Sequence, residues 1–295
     1  MTNPQRFEGV FTAIVTPFKD GAVDTAAFTN LINRQLDGGV DGIVAVGTTG
    51  ESVTLTVAET DHVISHTVKT VAGRVPVVAG AGSNNTAQAV ENSRRIKELG
   101  VDGLLHVAPY YNKPGPEGLY RHFEACAKAT DLPVIAYNVP GRTSSDISAK
   151  TWARIAKLPT VISLKDATGD VKRGVENVLA SKGDAFVVSG DDFTLLAHIA
   201  NGGKGVISVV SNIAPTLTSK LWQACKDGDF QTAQKINFEL QPLIELLFAE
   251  SNPTPTKAAL EVLGLCSSDV RLPLVPCSPA IKEKLATWLA NRKEL

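Results

Sequence analysis

Gly100-Val101-Asp102-Gly103 stands between an amphipathic run and a short apolar one, Leu104-Leu105-His106-Val107. The same tetrapeptide occurs earlier as Gly39-Val40-Asp41-Gly42, again between an amphipathic run and the apolar Ile43-Val44-Ala45-Val46. Glycines suit a helix C-terminus and a tight re-entry into a sheet, so each copy marks a helix handing over to a strand. Gly202-Gly203-Lys204-Gly205 is a weaker echo.

Outward from these points, apolar and amphipathic runs alternate. Strands are predicted at Val10–Val15, Gly42–Val46, Val75–Ala79, Gly103–Val107, Val134–Asn138, Val161–Lys165, Ala185–Ser189 and Gly205–Val210. Between them, helices are predicted at Asp24–Leu36, Thr56–Val71, Thr86–Leu99, Pro116–Ala129, Ser148–Ala156, Asp170–Ala180 and Phe193–Ala200. Such alternation predicts an α/β fold, a parallel (β/α)8 TIM barrel. A doubly wound open sheet is the alternative, but no G-x-G-x-x-G follows the first strand. Four more helical runs, Thr216–Lys226, Phe230–Phe248, Thr254–Leu263 and Ala280–Ala290, exceed what closes a barrel. The expected division is a barrel over 1–215 and a C-terminal helical extension over 216–295, its apolar faces packed on the barrel or on another subunit.

The 295 residues are 43% hydrophobic and 20% charged, with a net charge of −1. That balance gives no electrostatic footprint for nucleic acid or an anionic membrane. Cys126, Cys225, Cys266 and Cys277 are widely spaced, which suits free thiols in a reducing, cytoplasmic setting. No apolar run reaches membrane-spanning length. Met1-Thr2-Asn3-Pro4 leads straight into charged residues, so no signal peptide is expected. His62 and His66 share helical spacing but lack further metal ligands and read as a surface pair.

In a barrel of this kind, the loops after the carboxyl ends of the strands build the active site. The sixth strand, Val161-Ile162-Ser163-Leu164-Lys165-Asp166, ends in a lysine that shares a face with Val161 and Ser163. An ammonium there loses hydration, which favours the neutral, nucleophilic amine and makes Lys165 a Schiff-base candidate. Strand-end lysines also snorkel to water, and on this stretch alone that reading is the favoured one. Tyr137 ends the preceding strand, one βα unit away and at similar expected height, so a phenol beside the amine suits a proton relay. Gly47-Thr48-Thr49-Gly50-Glu51-Ser52 reads either as an anion-binding nest or as an ordinary capped turn. Arg142 follows a Pro-Gly turn and suits a carboxylate. Asp191 and Asp192 read as helix N-caps rather than metal ligands.

Five motifs run in order at barrel-strand spacing: Gly47-Thr48-Thr49-Gly50-Glu51, Tyr110-Tyr111, Tyr137-Asn138-Val139-Pro140, Lys165-Asp166-Ala167-Thr168-Gly169 and Gly190-Asp191-Asp192. Together, over Gly9 to Pro279, they resemble the dihydrodipicolinate synthase / N-acetylneuraminate lyase superfamily of class I aldolases. Arg142 and the paired threonines look like its synthase branch. The resemblance implies condensation of pyruvate with L-aspartate 4-semialdehyde on the route to diaminopimelate and lysine. Lys165 would form the imine, and Thr48 and Thr49 would hold the pyruvate carboxylate. Thr49, Tyr137 and Tyr111 would relay protons, with Tyr111 supplied by a neighbouring subunit. Arg142 would hold the semialdehyde carboxylate, and Val206 and Ile207 would line the substrate. It implies a homotetramer, a dimer of dimers, in the cytoplasm, without metal or organic cofactor, nucleic acid or membrane. Ser52, Asn84 and Tyr110 match a regulatory lysine site of the family. Val57, Thr60 and Gln88 replace the histidines and glutamate of strongly inhibited members, so weak or absent lysine inhibition is expected. The alternatives are a neuraminate lyase or keto-deoxy-sugar-acid aldolase, in which the acceptor differs, a catalytically silent barrel, and last a phosphate-binding barrel that rests only on Gly202 to Gly205.

Overall fold

The computed structural model describes residues 3–290 and 292. Its strands are β1 (Gly9–Ala13), β2 (Phe18–Lys19), β3 (Ala22–Val23), β4 (Gly42–Ala45) and β5 (Val77–Gly80). They continue as β6 (Gly103–Val107), β7 (Val134–Asn138), β8 (Val161–Asp166), β9 (Phe186–Ser189) and β10 (Gly205–Ser208). Among the described residues, eight of these close into a barrel in the order β1-β10-β9-β8-β7-β6-β5-β4, while β2 and β3 form a separate hairpin. The TIM barrel expected from the alternating runs is what the chain forms, and helices Pro215–Lys226, Phe230–Leu247, Thr254–Val262 and Pro279–Ala290 follow it. By contacts, Pro76–Ile207 with the segment up to Gly9 makes one compact unit, and Val10–Val75 with the segment from Ser208 onward makes another.

The repeated tetrapeptide has a structural reason in each unit. Gly39 and Gly100 take φ of 77° and 84°, the left-handed exit that glycine provides at a helix end. The aspartate then clamps a neighbouring strand with both backbone and side chain. Asp41 N–H donates to Val10 O at 2.8 Å, and Val10 N–H donates to Asp41 Oδ2 at 2.8 Å. Asp102 does the same with Val77, at 2.8 and 2.9 Å. The weaker echo keeps the backbone arm, Lys204 N–H to Val187 O at 2.8 Å. Its glycines are accounted for by packing: a Cβ on Gly205 would sit 2.1 Å from Gly9 O, and one on Gly203 would sit 2.1 Å from His198.

Element ends differ from expectation where local chemistry intervenes. β5 begins at Val77 instead of Val75, because Pro76 has no N–H for the ladder. The pairing of β7 with β8 shifts between Val134 and Ile135, so Val134 opposes Val161 but Ile135 opposes Ser163. This bulge leaves Ile162 out of the simple alternation and keeps Ser163, Leu164 and Lys165 in step. His62 and His66 bond threonines of the helix Thr25–Asp37, at 2.9 Å to Thr25 and 2.8 Å to Thr29. The four cysteines are free. No described helix is long and apolar enough to cross a membrane.

Candidate active site

In the unit built on Pro76–Ile207, Tyr137 and Lys165 are register partners at the carboxyl ends of β7 and β8. Each is only 6% exposed. Lys165 Nζ lies over the Tyr137 ring, 4.2 Å from its centroid. The lysine is thus buried rather than extended to water, and the sequence-predicted pair is brought together.

The surroundings leave the lysine one course. A Cβ on Gly190 would meet Ala167 Cβ at 2.7 Å, Lys165 Cε at 2.8 Å and Lys165 Cγ at 3.0 Å. Only glycine lets the alkyl stem lie where it does. Gly190 N–H also donates to Asp166 O at 2.7 Å, fixing that approach. Asp166 turns away and accepts from Asn177 Nδ2 at 2.9 Å and Thr168 N–H at 3.2 Å. Burial pushes its carboxyl pKa up against those bonds. Beside Tyr137, Asn138 donates from Nδ2 to Asp146 at 2.9 Å and accepts from Ile147 N–H at 2.9 Å. Arg173 Nη1 in turn holds both oxygens of Asp146 at 3.0 Å. Gly190, Asn138, Asp146 and Arg173 therefore position the pair. Asn138 and Gly190 lay within the sequence motifs without an assigned part, whereas Asp146 and Arg173 carried no local signal.

Arg142 is exposed on a short helix, Pro140–Thr143, where a plain turn was expected. Thr143 closes that helix by donating from Oγ1 to Ser145 O at 2.9 Å and accepting from Ser145 N–H at 3.1 Å. Tyr111 is 88% exposed and has φ of 72°. The Tyr137–Lys165 contact is made without it. Asn84 Nδ2 donates to Tyr110 O at 3.2 Å, so two of the three residues matched to a lysine site are joined directly. Val206 and Ile207 are buried in β10. Asp191 caps Phe193 N–H at 2.9 Å, as read from the sequence. Among the described residues, no group of three or more His, Cys, Asp or Glu side chains is arranged for a metal ion.

In the other unit, the turn after β4 is held from two sides. Glu51 N–H donates to Thr48 O at 3.1 Å, Ser52 N–H donates to Gly47 O at 3.3 Å, and Thr16 Oγ1 donates to Gly50 O at 2.8 Å. Glu51 adopts φ of 53° and buries its carboxylate. Its partner is Lys257, 0% exposed, with Nζ 2.5 Å from Oε1. Lys257 Nζ also donates to Asp269 O at 2.7 Å and stands over the Phe18 ring, 4.0 Å from its centroid. Arg271 N–H donates to Glu51 Oε2 at 3.1 Å. Burial lowers the Lys257 pKa, and the neighbouring Glu51 carboxylate opposes that shift. Thr49 is buried and accepts from Asn252 Nδ2 at 2.9 Å. Asn252 and Lys257 escaped sequence reading, because nothing near them marks their partners.

The profile of the dihydrodipicolinate synthetase family matches residues 6–292 of this chain. A 4-hydroxy-tetrahydrodipicolinate synthase of Syntrophobacter fumaroxidans is 49% identical over 281 residues, covering 95% of this chain and 96% of that protein. The fold superposes on the dihydrodipicolinate synthase of Thermotoga maritima with a TM-score of 0.95 and 40% identity, covering 96% of this chain and 98% of that one. It matches the chloride-inhibited dihydrodipicolinate synthase of Acinetobacter baumannii, complexed with pyruvate, with a TM-score of 0.94 and 44% identity, at 96% and 98% coverage.

Proposed function

The chain belongs to the dihydrodipicolinate synthetase family, and from that premise we propose that it condenses pyruvate with L-aspartate 4-semialdehyde through an imine on Lys165. The observation that carries this reading is the buried amine set 4.2 Å over the ring of Tyr137. The Lys165 amine attacks the pyruvate ketone, and water leaves as the imine forms. The protonated imine draws electrons from the pyruvate methyl, which loses a proton to give an enamine. The enamine carbon then attacks the aldehyde, and the new alkoxide takes up a proton. The amino group brought by the semialdehyde attacks the imine carbon, closing the ring and expelling the Lys165 amine. The imine itself is the electron sink, so this route calls on no metal or organic cofactor.

Tyr137 passes the protons of imine formation and carbon–carbon bonding. Thr49 shares that relay and, with Thr48, holds the pyruvate carboxylate. Arg142 offers a forked donor to the carboxylate of the semialdehyde. Val206 and Ile207 line the substrate. Tyr111 joins the relay of a neighbouring subunit in a homotetramer of paired dimers, and its exposure on this chain supports that part. Residues 1–215 carry the chemistry in this reading, and 216–295 brace it, with the Asn252–Thr49 bond in support. The enzyme works in the cytoplasm.

The test is a side-by-side assay. Protein with pyruvate is reduced with borohydride, digested and read by mass spectrometry, and turnover is followed with aspartate semialdehyde or N-acetylmannosamine. The expected result is an adduct on Lys165, a cyclic dicarboxylate from the semialdehyde, and loss of both in Lys165→Ala. An adduct with turnover of N-acetylmannosamine alone moves the protein to the lyase branch and removes the role given to Arg142.

A further inference from the structure

Thr49 does not stand alone in its unit. Asn252 Nδ2 donates to its Oγ1 at 2.9 Å, and Thr256 Oγ1 donates to Asn252 Oδ1 at 3.3 Å. All three side chains are buried. Thr256 sits in the helix Thr254–Val262, immediately before Lys257, whose ion pair with Glu51 ties the same helix to the same turn.

The chemistry of these groups gives the chain a direction. An amide nitrogen only donates and an amide oxygen only accepts, whereas a hydroxyl does both with one proton. Thr256 occupies the Asn252 oxygen and so orients its nitrogen toward Thr49. The Thr49 hydroxyl therefore accepts on that side, and its single proton is directed away from Asn252. We infer that Asn252 is a positioning residue that sets the Thr49 hydroxyl as a donor, ready for the substrate carboxylate and the proton relay. This inference rests on the role proposed above for Thr49. Without the amide, the hydroxyl proton is free to turn to the wrong side, and an acceptor in its place would capture that proton.

Asn252→Asp keeps the shape and replaces the donor by an acceptor. The readout is exchange of pyruvate methyl hydrogens with deuterated water, followed by NMR, which needs no aldehyde, together with full turnover. Asn252→Asp is expected to lower kcat for exchange by about tenfold or more, with a smaller change in KM. In a Thr49→Val background, where no hydroxyl remains, the same substitution is expected to cost less than about twofold, because the two effects are coupled through one group. Thr256→Val, which removes only the donor holding the amide oxygen, should give a weaker loss that likewise vanishes in Thr49→Val. An Asn252→Asp protein with wild-type exchange overturns the inference. An equal loss in both backgrounds also overturns it, since Asn252 would then act on structure alone. A wild-type protein that exchanges pyruvate but ignores the semialdehyde leaves Asn252's part standing and counts against the proposed acceptor only.

Discussion

The Nζ end of Lys165 and the ring of Tyr137 are stacked, 4.2 Å from Nζ to centroid, because the two residues are register partners on β7 and β8. The ring packs against the amine, and the proposed relay would use the phenol oxygen at its edge. Tyr137→Phe separates these contributions, since it keeps the ring and removes the hydroxyl. The expected outcome is folding and pyruvate capture much as in the wild type, with kcat lower by roughly 100- to 1000-fold. Steady-state kinetics with both substrates checks this. A variant within about threefold of the wild type takes the phenol out of the reaction.

Gly190 leaves the space that the Lys165 stem occupies. In Gly190→Ala the new methyl group would meet Lys165 Cε at 2.8 Å and Ala167 Cβ at 2.7 Å, so the stem must shift. We expect borohydride trapping of pyruvate on Lys165 to slow by at least about tenfold, since misplacement of a reacting group by an ångström is costly. Thermal melting should change little by comparison. Trapping at the wild-type rate would show that the lysine tolerates the displacement.

Free lysine should inhibit weakly or not at all. Asn84 and Tyr110, two of the residues matched to the family's regulatory site, are joined by a hydrogen bond of 3.2 Å. Gln88, where a carboxylate would meet the ligand's ammonium, spends its amide on Asn92 at 3.1 Å. Val57 is exposed and offers no hydrogen bond. Initial rates across a lysine titration provide the check, and half-inhibition below the millimolar range would contradict the expectation.

Acid should weaken the fold before carboxylates protonate. Burial, with His122 as a lesser influence, pushes the pKa of His106 down to about 3, and burial brings His122 to about 4. Both lie below the ordinary histidine value of 6.5, so the folded protein holds these rings neutral. The unfolded chain takes up protons first as pH falls. Stability is therefore full above about pH 6.5 and declines as pH falls, by on the order of 1 kcal/mol per pH unit for each ring, down to about pH 4 for His122 and about 3 for His106. Urea midpoints measured from pH 7 to 4.5 should fall steadily in the wild type and less in His106→Asn. A flat wild-type series would refute this assignment.

The barrel was legible because each parallel strand is a short apolar run bounded by polar or glycine residues, and the repeated Gly-Val-Asp-Gly marked two of the hand-overs. The hairpin of β2 and β3 escaped because two-residue strands carry no periodicity. Its available signal was the pair Asp20-Gly21, whose φ of 52° and 82° make a turn suited to hairpins. Tyr137 and Lys165 were legible as a pair because strand ends one βα unit apart face the same way. The bond from Asn252 to Thr49 was not, since it spans 203 residues and amide side chains give no local cue. The Lys257–Glu51 pair was hidden for a similar reason: in sequence a buried lysine looks like a solvated one.

The hold on Glu51 has a consequence in the order of synthesis. Arg271, which donates to it, lies 220 residues further along the chain, and Asn252 and Lys257 are also late. A growing polypeptide thus has all its barrel strands made while the Gly47–Ser52 turn is held only by Thr16 and its own backbone, before Glu51 and Thr49 meet their late partners. Translation that stops short of this late segment yields chains with every strand sequence present but with Glu51 and Thr49 without these partners. Such chains also leave uncovered the apolar core against which Leu260 and Leu285 are buried, so quality control that senses exposed core would find them.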